Sequence, residues 1–209
     1  MRKFLDDIVS FSSANVFNPW RHTDPLDAHM FASDHRLSRL VQHFDCDPRY
    51  LLIGEAPGYQ GCHFSGVPFT NESLLINGAV PRVPVTARIT TRKLPWCEPS
   101  ATIVWKELHR LDIAEHTIMW NAFAWHPFKP GDPLSNRAPT KAELKAGEHV
   151  LRSVLDHFRH AKIIAVGRVA EAALQRLGID QVTAIRHPSM GGASQFRSQL
   201  QQITTGNAS

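Results

Sequence analysis

Apolar and polar positions along the 209-residue chain follow two periods that take turns. Residues 1–20 keep their apolar side chains to one helical face, up to "NPW". Helical spacing resumes in "DPLDAHMFASDHRLSRLVQHF" through Met30, Leu37, Leu40, Val41 and Phe44. A short unbroken apolar run, "RYLLIG" (49–54), predicts a buried strand. Residues 101–111, "ATIVWKELHRL", predict a helix, and "HTIMWNAF" (116–123) a second strand. Thr140 and Glu143 stand three apart as a capping box ahead of "LKAGEHVLRSVLDHF". "AKIIAVG" (161–167) reads as a third strand, "RVAEAALQRLG" as a helix with a glycine stop, and "QVTAIRHPS" (181–189) as a fourth strand running into a loop.

Strands that alternate with helices imply a parallel sheet covered on both faces. The predicted fold class is α/β: three layers, α/β/α, around a central, mainly parallel four-stranded sheet. No repeat, linker or composition shift divides the chain. Residues 1–209 therefore read as one domain, with 1–48 as N-terminal helices packing on the core. In such sheets ligands collect beyond the C-terminal strand ends. Three loops lie there: "GEAPG" after the first strand, Asn121 at the end of the second, and "RHPSMGG" after the fourth. They predict one composite pocket.

The residue types in those loops suit a flat ligand. Gly54 and Gly58 permit close approach where a Cβ would block it, and Pro57 stiffens the turn between them. Phe69, behind Pro68, either packs in the core or offers a face for stacking on a nucleobase. Glu55 either caps a loop or serves chemistry. Asn121 sits among apolar neighbours, where both ends of its amide need partners. It either ties backbone together or reads a base. In the second role its NH2 and oxygen fit O4 and N3–H of uracil and mismatch cytosine. His187 is either structural or a donor to an oxyanion on a departing base. Ser189 either caps a helix or meets a DNA phosphate.

Composition narrows the classes. The 43% apolar and 20% charged fractions are those of a globular protein. No run approaches the ~18 apolar residues of a spanning helix, so no membrane is expected. Asp6 and Asp7 come too early for a signal-peptide core, and the expected location is the cytoplasm. Cys46, Cys62 and Cys97 form neither a disulfide framework nor a CxxC knuckle. A net charge of +4, twelve histidines and a pI near 9.2 favour a polyanionic partner. The glycine loop lacks the GK[ST] of a phosphate-cradling hydrolase.

In order, "GEAPG", "SGVPF", a strand-end Asn and "HPS" resemble the motif set of the uracil-DNA glycosylase superfamily. The first motif is most similar to the branch that carries an iron–sulfur cluster. "PLSNRAPTKAE" and "AKIIAVGRVA" resemble that branch's connecting segments, and the likeness spans about residues 50–195. The resemblance implies a monofunctional uracil-DNA glycosylase of base excision repair, a monomer in the bacterial cytosol or nucleoid. It would flip uracil from single- or double-stranded DNA and hydrolyse the N-glycosidic bond. Gly54, Glu55, Ala56, Pro57 and Gly58 would hold the uracil and the attacking water. Tyr59 or His63 would reject thymine's methyl group. Phe69 would stack, Asn121 would read the base edge, and His187 would stabilise the uracil anion through O2. His63, Arg186, Pro188, Ser189, Met190 and Gly191 would contact DNA, with Met190–Phe196 at the minor-groove wedge.

This chain departs from the family pattern in three places. The cluster branch uses four cysteines, including a close N-terminal pair; three are present here and none precedes Cys46, so neither a cluster nor another metal is expected. Where the best-known branch keeps a water-orienting Asp stands Ala56, with Glu55 the nearest carboxylate. "YQGCHFSG" lacks the acidic residues that commonly follow GEAPG. Two alternatives are a uracil-DNA-binding relative that traps the sugar through His63, and a glycosylase for hypoxanthine or xanthine.

Overall fold

The computed structural model describes residues 2–206. Its elements in chain order are α1 (Arg2–Ser10), β1 (Val16–Phe17), α2 (Ala32–Phe44), β2 (Tyr50–Gly54), α3 (Cys62–Ser65), α4 (Glu72–Ile76) and α5 (Pro99–Arg110). Then come β3 (Thr117–Asn121), β4 (His126–Pro127), α6 (Lys141–His157), β5 (Lys162–Val166), α7 (Arg168–Arg176), β6 (Thr183–Ile185) and α8 (Ala193–Thr205). Strands β3-β2-β5-β6 form one parallel sheet in that order, and β1 pairs with β4 in a separate antiparallel ribbon. The four-stranded parallel sheet is the one expected.

Side chains alternate along a strand, so a strand buried on both sides feeds two cores. Leu51 and Ile53 of β2 join Ile118 and Trp120 of β3 in one cluster, which α1, α2, α6 and α7 cover with Ile8, Leu40, Leu151 and Leu174. Tyr50 and Leu52 face the other way. They meet Met119 and Ile164 under Val104 and Trp105 of α5 and Phe196 and Leu200 of α8. This is the three-layer arrangement. Truncating a fully buried Leu51 or Leu52 to Ala would cost about 2–5 kcal/mol.

Several boundaries differ from the expectation for physical reasons. The first helix ends at Ser10, not near Trp20. The Asn18 amide nitrogen reaches back to the carbonyls of Ile8 (2.7 Å), Val9 (3.2 Å) and Phe11 (2.9 Å), and so satisfies the carbonyls that a longer helix would have used itself. The second helix starts only at Ala32. Before it, Asp24 and Asp27 tie turns, and Met30 is exposed. The capping box at α6 is present: Glu143 N–H donates to Thr140 Oγ1 (3.2 Å) and Thr140 N–H to Glu143 Oε2 (2.7 Å). The fourth strand shrinks to three residues. The expected elements did not include α3, α4, the β1–β4 ribbon or α8.

Candidate active site

The parallel register brings the strand ends level. Gly54, last in β2, pairs with Asn121, last in β3. On the other side Gly167 follows β5 and donates its N–H to Ile185 at the end of β6 (2.9 Å), two residues before His187. Chain order reverses direction across the sheet between β2 and β5, the place where such sheets open a crevice. A small cavity lies there. Glu55–Gly58, Phe69, Asn121 and His187 line it, together with Cys62 and Glu98.

Gly54 is required by its neighbours. A Cβ there would stand 2.5 Å from Phe69 Cζ and 2.7 Å from Asn121 Oδ1. Phe69 itself has φ +51°, a left-handed conformation that costs a bulky residue energy and persists only where surroundings enforce it. They do so here. Ser65 Oγ donates to Thr70 O (2.7 Å), and Trp105 Nε1 donates to Thr70 Oγ1 (3.0 Å), which pins the turn on both sides. The ring lines the cavity, its centroid 6.2 Å from that of His187.

Asn121 is 4% exposed, yet neither end of its amide has a hydrogen-bond partner among the described residues. Its amide atoms open onto the cavity, where water or a ligand can complete them. The Glu55 backbone is fixed by Phe123 N–H, which donates to its carbonyl (3.0 Å). Its carboxyl group is half-buried, has no partner among the described residues, and is pushed above the usual carboxylate range by burial.

His187 has a defined tautomer. Ser189 donates its backbone N–H to His187 Nδ1 (3.2 Å), and the Ser189 hydroxyl lies 2.7 Å from the same atom. An atom that accepts from an N–H carries no proton, so the ring proton sits on Nε2. Burial and then the charge of Arg186 hold the imidazole below its usual pKa, which keeps it neutral. Ser189 is thereby engaged within the loop. Met190 beyond it is 91% exposed with φ +52°, and Arg186 donates to its carbonyl (3.4 Å).

Three sequence expectations need correction. His63 is fully buried and cannot contact DNA. Its ring stacks on Phe17 (3.7 Å), its Nε2 lies 3.1 Å from Asp24 Oδ2, and its Nδ1 lies 2.9 Å from His126 Nδ1. Tyr59 packs edge-on against Trp96 (5.3 Å) and lies outside the cavity lining, so neither candidate for rejecting thymine faces the site. Phe196 belongs to the core side of α8 and is fully buried, so a wedge cannot extend that far. The structure also adds a residue. Glu98 lines the cavity, with Oε1 accepting from Ser100 Oγ (2.6 Å). In sequence it stands directly before Pro99 at a helix start, where an acidic residue reads as an ordinary cap.

A crevice at the switch point of a parallel sheet, with an aromatic face, an unpartnered amide and a neutral imidazole, suits a flat ring with donors and acceptors on its edge. The family model for the uracil DNA glycosylase superfamily matches residues 41–204, and the chain belongs to that superfamily. Its members are DNA glycosylases, hydrolases of DNA repair. Among solved structures, SMUG2 of Pedobacter heparinus superposes with a TM-score of 0.62 over 98% of this chain and 96% of that one, at 16% identity. That identity makes the likeness one of fold. No curated protein matches the chain.

Proposed function

We propose that the chain is a monofunctional uracil-DNA glycosylase that binds uracil flipped out of DNA and hydrolyses its bond to the sugar. The single observation carrying the reading is the unpartnered amide of Asn121, held beside Phe69 at the end of β3. Its donor and acceptor complement O4 and N3–H of uracil, and Phe69 supplies the stacking face.

In this reaction the C1′–N1 bond breaks and its electron pair leaves on uracil. His187 donates from Nε2 to O2 as the charge develops, a neutral donor aimed at a forming oxyanion. The oxygen of a water bonds to C1′, and the water's proton passes to Glu55. Burial raises the proton affinity of that carboxylate. The Glu55–Gly58 backbone shapes the water's place.

The DNA surface would run from Met190, the exposed apolar wedge, to the polar groove bordered by Arg168, Arg186, Ser194 and Ser198. We read the enzyme as working without a metal or cluster. An all-cysteine iron–sulfur site takes four thiolates, whereas Cys62 lines the cavity, Cys46 is half-buried elsewhere and Cys97 is exposed. One chain supplies every residue of the site, in keeping with a monomer, and a DNA substrate favours the cytoplasm. The trapping alternative loses its residue, because His63 has no access to a sugar. Alkali-labile breaks at uracil in a labelled oligonucleotide would support the function; intact strands would refute it.

A further inference from the structure

The first loop carries no acidic residue after Glu55, and Gly61 has no side chain at all. The space that a Cβ on Gly61 would need is already taken by Oε2 of Glu98, with the Glu98 Cδ 3.1 Å from that position. Glu98 comes from a different segment, the residue before α5. Its placement is built. Oε1 accepts from Ser100 Oγ (2.6 Å), and the Glu98 carbonyl accepts from Asn71 Nδ2 (3.2 Å) and Thr102 Oγ1 (3.1 Å). With Oε1 anchored, Oε2 has no partner among the described residues, and the residue lines the same cavity as Asn121 and His187.

We propose that Glu98 guards the C5 edge of the flipped base and is the specificity-determining residue that rejects thymine. The assignment rests on the uracil reading and follows from going round the ring. His187 takes O2, Asn121 takes N3–H and O4, N1 points to the sugar at the mouth, and Phe69 covers a face. C5 is the edge left, and beyond the Glu55–Gly58 stretch assigned to the water, Glu98 and Cys62 are the lining left. A 5-methyl group would run into a carboxyl group that Ser100 holds in place. Burial raises the pKa of that carboxyl, so the group opposes the developing uracil anion less than an ordinary carboxylate would.

The test is single-turnover excision of uracil and thymine from otherwise identical mismatched duplexes. Glu98→Ala is expected to raise the thymine-to-uracil rate ratio at least ~10-fold, the low end of what one methyl group is worth in a fitted pocket. Glu98→Gln, which keeps the shape, is expected to leave the ratio near wild type. Should Glu98→Ala fail to fold, Glu98→Asp withdraws the carboxyl by one methylene and is expected to raise the same ratio. Gly61→Ala puts a Cβ in the space that Oε2 fills, displaces the carboxyl and is expected to depress uracil excision; adding Glu98→Ala is expected to restore it. An unchanged ratio in a folded Glu98→Ala or Glu98→Asp protein, with wild type active on uracil, overturns the role of Glu98 alone. A wild-type protein that excises no uracil overturns the reading beneath it.

Discussion

Gly54 and Asn121 are register partners across β2 and β3, and the glycine's missing side chain is what lets the Asn121 amide and the Phe69 ring converge. The base reader and the stacking face are thus positioned by one backbone contact. Gly54→Ala would force one of them to move. Misplacement of about 1 Å in a positioned site costs on the order of 10²-fold in rate. The expected result is therefore a ~10²-fold or greater loss of single-turnover uracil excision. The fold should survive, since one inserted methyl group costs about 1–3 kcal/mol. Near-wild-type excision by this variant would mean that the Asn121–Phe69 arrangement does not matter.

His187 is expected to act on the chemical step and not on binding. Its Nδ1 is occupied by Ser189, so only Nε2–H remains for the base. Removing one oxyanion donor costs about 10²–10³ in rate, and His187→Ala should lose that much. Its affinity for an oligonucleotide bearing an abasic site, measured by fluorescence anisotropy, should change little. Equal losses in rate and affinity would assign His187 to DNA binding.

Buried histidines set an acid limit on stability. His43 accepts from Met119 N–H through Nε2 (3.0 Å), and burial followed by Arg82 lowers its pKa to about 3. His126 is also lowered to about 3, by burial first and then His63. Its Nε2 lies 2.9 Å from the Ser135 carbonyl and so donates to it. Its Nδ1 lies 2.9 Å from His63 Nδ1. Unfolding returns both rings to about 6.5. Below that pH the unfolded chain binds protons that the native one does not, so stability is lost as pH falls from about 6.5 toward 3. Each ring contributes about 1.4 kcal/mol per pH unit across the window. The urea midpoint should fall steeply between pH 6.5 and 5; a flat midpoint there would show that these rings charge without unfolding.

The four parallel strands and the converging loops were legible because apolar runs and strand-end glycines are local signals. The capping box at Thr140 and Glu143 was legible for the same reason. What escaped depends on long-range contacts. Nothing local says that the Asn18 amide will end α1, or that His63 will turn inward to Asp24 and His126. His63 lies in a motif loop at the mouth of the site in sequence, but Phe17 of the small β1–β4 ribbon covers it in space. Glu98 was missed on the same grounds: 37 residues separate it from the Gly61 whose space it fills.

The most direct measurement incubates the purified chain with oligonucleotides that carry a single uracil, thymine, cytosine, hypoxanthine or xanthine, then cleaves abasic sites with alkali. The Asn121 amide pattern and the Glu98 barrier lead to strand breaks at uracil, far fewer at thymine and cytosine, and none beyond background with the His187→Ala protein on the same time course. Breaks at hypoxanthine or xanthine with uracil left intact, or uracil excision unaffected by His187→Ala, would contradict the account.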